Sequence, residues 1–178
     1  MPRSEKTWAD EVHRELAAAG VRVVGYVPDA GHKRLIELCH ADRRMRAVVL
    51  STEEEGIGLA AGAWLGGEKS VLLMQSSGVG NIINVLGMVK ACRFPLVVIV
   101  TMRGEQGEFN PWQVPMGEAT ARVLETMGVA VRQAGEADTI AAHVHVALRL
   151  AYDAQSAQAV LIAQRVIGIK SFQEQRSQ

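Results

Sequence analysis

Lys69-Ser70-Val71-Leu72-Leu73-Met74-Gln75-Ser76-Ser77-Gly78-Val79-Gly80-Asn81 opens as a short apolar run and closes in a glycine-punctuated segment. An uninterrupted apolar run of about 4–8 residues is the length of a strand buried on both faces, and the glycines after Gln75 mark a turn into a helix. The next apolar run, 94–102, begins a second strand after a helix expected over 79–92. Strand, helix, strand is the βαβ unit of a parallel sheet. Outward from this unit the same alternation recurs. Strands are expected near 21–27, 46–51, 69–75, 94–102, 129–133 and 158–164, with an opening helix over 5–19 and others over 31–44, 53–66, 79–92, 117–127 and 137–154. The expected class is α/β: a three-layer open sheet of about six parallel strands with helices on both faces. Residues 1–170 are read as one domain and the polar, aperiodic stretch 171–178 as a tail.

The bulk composition excludes several classes of function. Among 178 residues, 19 basic side chains balance 19 acidic ones, so no net field favours nucleic acid or an anionic membrane. The longest strongly apolar stretch, 94–102, is far shorter than the ~20 residues of a membrane span, and a cytoplasmic protein is expected. Cys39 and Cys92 are too far apart to form a zinc or redox pair, and they read as free thiols in a reducing compartment. His143 and His145, two apart on an expected helix, face different ways and make a poor metal pair.

In an open α/β sheet, ligands sit beyond the carboxyl ends of the strands. Three groups of residues there draw attention, together with the long aperiodic connection 103–115. Val27-Pro28-Asp29 follows the first strand. Glu53-Glu54-Glu55 opens a helix, where Ser51-x-x-Glu54 or Thr52-x-x-Glu55 would also serve as an ordinary capping box. Gly56, Gly58, Gly62, Gly66 and Gly67 then crowd that helix, each interior glycine costing about 1 kcal/mol relative to alanine. Some close approach must offset that cost, and Gly58, Gly62 and Gly66 repeat along one face. Gly78-x-Gly80 can cradle a phosphate or can simply be a tight strand-to-helix connection. As a dinucleotide fingerprint it lacks the third glycine, since Ile83 occupies that place.

Together, Glu54-x-Gly56-x-Gly58-x-x-Ala61-x-x-Trp64, residues 74–81, Pro95-Leu96-Val97-Val98, Arg103-Gly104-Glu105-x-x-Glu108 and Pro111-x-Gln113-Val114-Pro115 resemble the pyrimidine-binding domain of thiamine diphosphate enzymes. The series is most similar to the α subunits of sulfopyruvate decarboxylases and to the N-terminal half of phosphonopyruvate decarboxylases, in matching order over roughly 20–165. The resemblance implies a non-oxidative 2-oxo-acid decarboxylase subunit. In that family a carboxylic acid beside N1′ of the aminopyrimidine favours the imino tautomer, whose 4′-nitrogen removes the C2 proton of the thiazolium. Glu54 matches that acid, which would leave Glu53 and Glu55, about 100° away on either side, facing elsewhere. The resemblance further implies that Val27 and Pro28 border the pyrimidine, and that Gly78, Gly80 and Asn81 face the cofactor. It sets Gln75, Arg103 and Gln113 against the substrate, a guanidinium being suited to a sulfonate or phosphonate.

The family binds Mg²⁺ and the diphosphate through a Gly-Asp-Gly segment, and none of Asp10, Asp29, Asp42, Asp138 and Asp153 lies between two glycines. The resemblance therefore implies a separate β subunit carrying the metal, with self-association of the pyrimidine domain. Departures bear on the substrate. The family's Pro-Asp-Ser reads Pro28-Asp29-Ala30, its Gln-Asn-Ser-Gly reads Gln75-Ser76-Ser77-Gly78, and its Ser-Leu reads Met88-Val89, each swap removing a polar group. A phosphonopyruvate or less polar 2-oxo acid is then an alternative to 3-sulfopyruvate. A non-catalytic assembly module of the same fold and a flavodoxin-like nucleotide binder are rival readings.

Overall fold

The computed structural model describes residues 7–168. The beginning of the expected opening helix and the whole of the 171–178 tail lie outside the described residues. Six strands, β1 (Val21–Tyr26), β2 (Arg46–Val49), β3 (Lys69–Gln75), β4 (Leu96–Thr101), β5 (Ala130–Ala134) and β6 (Ala157–Ile162), form one sheet in the order β2-β1-β3-β4-β6-β5. Every neighbouring pair is parallel.

Parallel strands need crossover helices, which bury both faces of the sheet and require apolar residues in both phases of the pleat. Val71 and Leu73 of β3, Val97 and Ile99 of β4, and Val160 and Ile162 of β6 share one core with Val12 and Leu16 of α1 (Trp8–Ala18), Leu35 of α2 (Lys33–Ala41), and Val144 and Leu148 of α7 (Ile140–Ala154). The alternate residues, Leu72, Met74, Val98, Val100 and Leu161, face a second core. It is closed by Ile57 and Ala60 of α3 (Glu53–Leu65), Ile82 of α4 (Ser76–Ile82), Leu86 of α5 (Leu86–Cys92) and Leu124 of α6 (Gln113–Thr126). A short α8 (Gln164–Ile167) follows β6.

The expected three-layer parallel sheet is found. Gly128 ends α6 with φ +84°, a conformation in which a side chain is strained. Three local readings differ. The single helix expected over 79–92 is two: α4 starts at Ser76, directly off β3, and the backbone turns at 83–85 before α5. The expected connecting turn at Ser77–Asn81 is therefore helix. α6 begins at Gln113 rather than 117, because Pro115 sits in its first turn, where a missing N–H costs no intrahelical bond. The close approach inferred from the glycines of α3 is at Gly56, whose Cβ would come within 3.1 Å of Leu50 and Leu72, while Gly58 and Gly62 have nothing within 4 Å. Cys39 is buried, which pushes its thiol up to about 12, and Cys92 is exposed.

Candidate active site

The chain runs from β1 to the sheet edge at β2, then crosses back over β1 to β3. The reversal opens a crevice at the carboxyl ends of β1 and β3, the position where open α/β sheets take their ligands. The segments singled out in the sequence meet there: 27–29 after β1, the acidic triplet after β2, and 75–81 after β3.

The three glutamates divide by helical phase. Thr52 is extended and precedes the first helical residue, Glu53, so Glu53 lies on the stripe of Ile57 and Ala60 that faces the sheet. Its side chain turns in, 7% exposed. Glu53 Oε2 accepts a 2.8 Å hydrogen bond from Asn81 Nδ2, and a Cβ built on Gly78 would fall inside its carboxyl group. Glu55 closes the helix start instead: its carboxylate accepts Ser51 N–H at 2.8 Å and the Ser51 hydroxyl at 3.0 Å, which lowers its pKa. Glu54, the residue assigned to the ring from the sequence, is exposed and has no hydrogen-bond partner among the described residues. The carboxyl group that meets Gly78 and Asn81 is thus that of Glu53, one residue and about 100° from the expected one.

Gly78 and Asn81, three residues apart on α4, share the face toward Glu53. Gly80 is turned toward α6, where a Cβ would be in ordinary contact with Met116 Sδ at 3.4 Å. The sequence expectation grouped Gly80 with the other two, whereas the helical phase of α4 separates it from them. A carboxylate packed on Gly78 also occupies the place a phosphate would need, with the wrong charge, so the nucleotide-cradle reading of this segment loses its physical basis. Val27 is half-buried, its N–H 3.4 Å from the Leu73 carbonyl, and Pro28 is exposed beside it. Gln75 is half-buried at the end of β3, its amide held between Asp29 and Ser77.

Residues 102–112 form the connection after β4, with a defined internal organisation. Arg103 is buried and donates from Nε at 2.6 Å and from its terminal nitrogen at 2.5 Å to the Glu108 carboxylate. That carboxylate also accepts Gly104 N–H, Asn110 N–H and Gln164 Nε2 at 2.9–3.1 Å. Arg103, expected to be free for a substrate anion, is therefore committed to an internal bidentate pair, and the acidic partner four residues beyond Gly104 was the signal for it. Gln113 lies half-buried at the start of α6, with its Oε1 lacking a hydrogen-bond partner among the described residues.

The Arg103 guanidinium holds the Glu108 carboxyl at about 2, burial opposing it and the loop amides adding to it. Because the folded pKa lies below the unfolded one, near 4.5, the pair's contribution is complete above pH 4.5 and fades as pH falls through about 2. Glu108→Gln, which strands a buried guanidinium, is expected to lower stability by about 3 kcal/mol at neutral pH. Urea unfolding of the two proteins at pH 6 and near pH 2 checks this: the difference between them should shrink at the lower pH.

Residues 6–110 match the family described as thiamine pyrophosphate enzyme, N-terminal TPP binding domain. The chain belongs to this family. It is 38% identical over 122 residues to the sulfopyruvate decarboxylase subunit alpha of Methanococcus maripaludis, covering 68% of this chain and 73% of the relative. The corresponding subunit of Methanothermobacter thermautotrophicus is 37% identical over 70% of this chain and 76% of its own length. Phosphonopyruvate decarboxylase of Streptomyces viridochromogenes is 38% identical over 62% of this chain, which spans 28% of that longer protein. Among solved structures, a 2-oxoglutarate:ferredoxin oxidoreductase from Magnetococcus marinus superposes with TM-score 0.72 over 91% of this chain and 29% of its own, at 15% identity, a likeness of fold.

The residues present fit a TPP-binding half-site. Gly78 leaves room for the buried Glu53 carboxyl beyond the carboxyl ends of the strands, and Asn81 holds that group with a hydrogen bond. Among the described residues no cluster of three or more His, Cys, Asp or Glu side chains could hold a metal ion. No helix among the described residues is long and apolar enough to cross a membrane.

Proposed function

We propose that this chain is the α subunit of a two-chain thiamine diphosphate-dependent 2-oxo-acid decarboxylase, converting 3-sulfopyruvate to sulfoacetaldehyde and CO₂ in the cytoplasm. The observation that carries the reading is the Glu53 carboxyl, seated on Gly78 and tethered by Asn81. When bound, thiamine diphosphate supplies the electron sink for cleavage of the bond to the carboxylate. The chain's own residues supply the rest. Glu53 holds a proton in exchange with N1′ of the aminopyrimidine, Asn81 fixes the carboxyl group, and Val27 and Pro28 flank the ring. Gln75 faces the substrate, while Arg103 acts through the loop it organises, and Gln113 stands at that loop's base with an acceptor to spare.

The reading assigns the diphosphate and Mg²⁺ to a β subunit. Its support is the openness of this half-site: Glu54 and Asn81 lie at the surface. A hollow of about 400 Å³ at the end of β1 is lined by Pro28 and Asp29, and one of about 380 Å³ lies beside β5 and β6; neither touches Glu53 or Gly78. α3 is apolar on its outer side too, with Leu65 88% exposed beside the open Gly58 and Gly62, a surface suited to pairing with a second copy. Calorimetry tests the assignment. Thiamine diphosphate with Mg²⁺ should bind the co-expressed α/β pair, which releases CO₂ from 3-sulfopyruvate, and should bind the isolated chain weakly or undetectably. Tight binding by the isolated chain, or a pair inert toward 2-oxo acids, would contradict it.

A further inference from the structure

We propose that Asp29 is a positioning residue that fixes the Gln75 amide as a hydrogen-bond donor toward the carboxylate of the 2-oxo acid. The inference rests on the decarboxylase reading and extends it to a residue behind the crevice.

Asp29 leaves β1 at the switch point, and its side chain is 9% exposed. A carboxylate so enclosed must find partners within the fold. Thr101 at the end of β4 donates its hydroxyl to Oδ2 at 2.6 Å, and Gln75 at the end of β3 donates Nε2 to Oδ1 at 3.2 Å. Behind it stands His32, fully buried, with Nδ1 3.6 Å from Oδ2, beyond hydrogen-bond length but close enough for electrostatic attraction. Burial opposes the charge, yet His32 and Thr101 outweigh it, and the carboxyl is held well below the usual carboxylate range. Gly31 closes the cage: a Cβ there would lie 2.8 Å from Thr101 Cγ2 and 2.9 Å from Asp29 Oδ2.

An ionised carboxylate only accepts hydrogen bonds, so the Gln75 group facing it must be the NH₂. On the other side Ser77 Oγ donates to Gln75 Oε1 at 2.8 Å. Asp29 alone imposes this orientation, because a flipped amide would set oxygen against carboxylate, whereas the Ser77 hydroxyl, able to donate or accept, adapts to it. Among the described residues the second N–H of Gln75 has no hydrogen-bond partner. It stands immediately ahead of the helix that carries Gly78 and Asn81. A donor of fixed direction there suits an anionic, planar acceptor such as the substrate carboxylate. Without Asp29 the amide is free to rotate and the donor is lost for part of the time.

The test compares the α/β complex with Asp29→Asn and with the double variant Asp29→Asn/Gln75→Glu. For Asp29→Asn, KM for the 2-oxo acid should rise about tenfold, with kcat within about threefold, the size expected for one hydrogen bond to a charged group. In nitrogen-15 spectra the Gln75 side-chain NH₂ signals should move toward those of a free amide. The double variant restores a donor–acceptor pair, so its Tm should stay near the wild-type value, while its KM should rise because a carboxylate replaces the donor. A folded Asp29→Asn complex with unchanged KM, or a double variant with unchanged KM, would overturn the proposal. Should the wild-type complex release no CO₂ from any 2-oxo acid, the decarboxylase reading fails by itself. The NH₂ signals then decide the positioning: unmoved signals in Asp29→Asn overturn it.

Discussion

Glu53→Gln is expected to lower kcat of the assembled enzyme by roughly 10²–10⁴-fold, the range associated with loss of a positioned acid or base, while Glu54→Gln leaves it within about twofold. The asymmetry between adjacent residues of the same type is what makes the comparison informative. Glutamine is nearly isosteric with glutamate and keeps an oxygen that can accept the Asn81 hydrogen bond, so assembly and Tm should survive. What is lost is a group able to share a proton with a ring nitrogen. Steady-state decarboxylation of purified α/β complexes, with thiamine diphosphate affinity measured alongside, checks the result. Equal losses at the two positions would mean that the phase of α3 does not select between them.

Gly78→Ala is expected to be the most damaging single methyl group in the crevice. Its Cβ would lie within the present position of the Glu53 carboxyl, so either Glu53 must rotate out or α4 must shift away from α3. Overpacking of this kind costs about 1–3 kcal/mol in stability, and displacement of the acid should cost at least the loss expected of Glu53→Gln. Gly80→Ala is the matched control. It lies two residues along the same helix, its Cβ would meet only Met116 Sδ at 3.4 Å, and replacing a helical glycine with alanine favours the helix by up to about 1 kcal/mol. Urea unfolding and kcat for the two variants should therefore diverge, with Gly78→Ala less stable and nearly inactive and Gly80→Ala at least as stable as the wild type and active.

Much of the architecture could be read from the chain because a parallel sheet covered on both faces leaves a strong pattern. Val71-Leu72-Leu73-Met74 and Leu96-Val97-Val98-Ile99-Val100 are apolar in both phases of the pleat, which only a doubly covered strand requires. The location of the site was legible for the same reason, since it follows from where strands end. Its fine geometry was harder to read. Three consecutive glutamates differ only in phase, and phase is set by the residue that starts the helix. The needed signal was nonetheless present: Glu53, Ile57 and Ala60 are spaced i, i+4, i+7, and the two apolar members mark the inward face. The partner of Arg103 was harder still, because a carboxylate five residues away along an aperiodic loop is brought to the guanidinium only by the folding of that loop around Glu108. The role of Asp29 depends on three strand ends converging, which periodicity does not encode.

The measurement that bears most directly on the central claim is a structure of the α/β complex with thiamine diphosphate and Mg²⁺ bound. The account predicts the Glu53 carboxyl within hydrogen-bond reach of the aminopyrimidine N1′, still held by Asn81, with the metal and diphosphate on the β chain. A complex in which Glu54 or another group occupies that place, or in which this chain ligates the metal by itself, would contradict it.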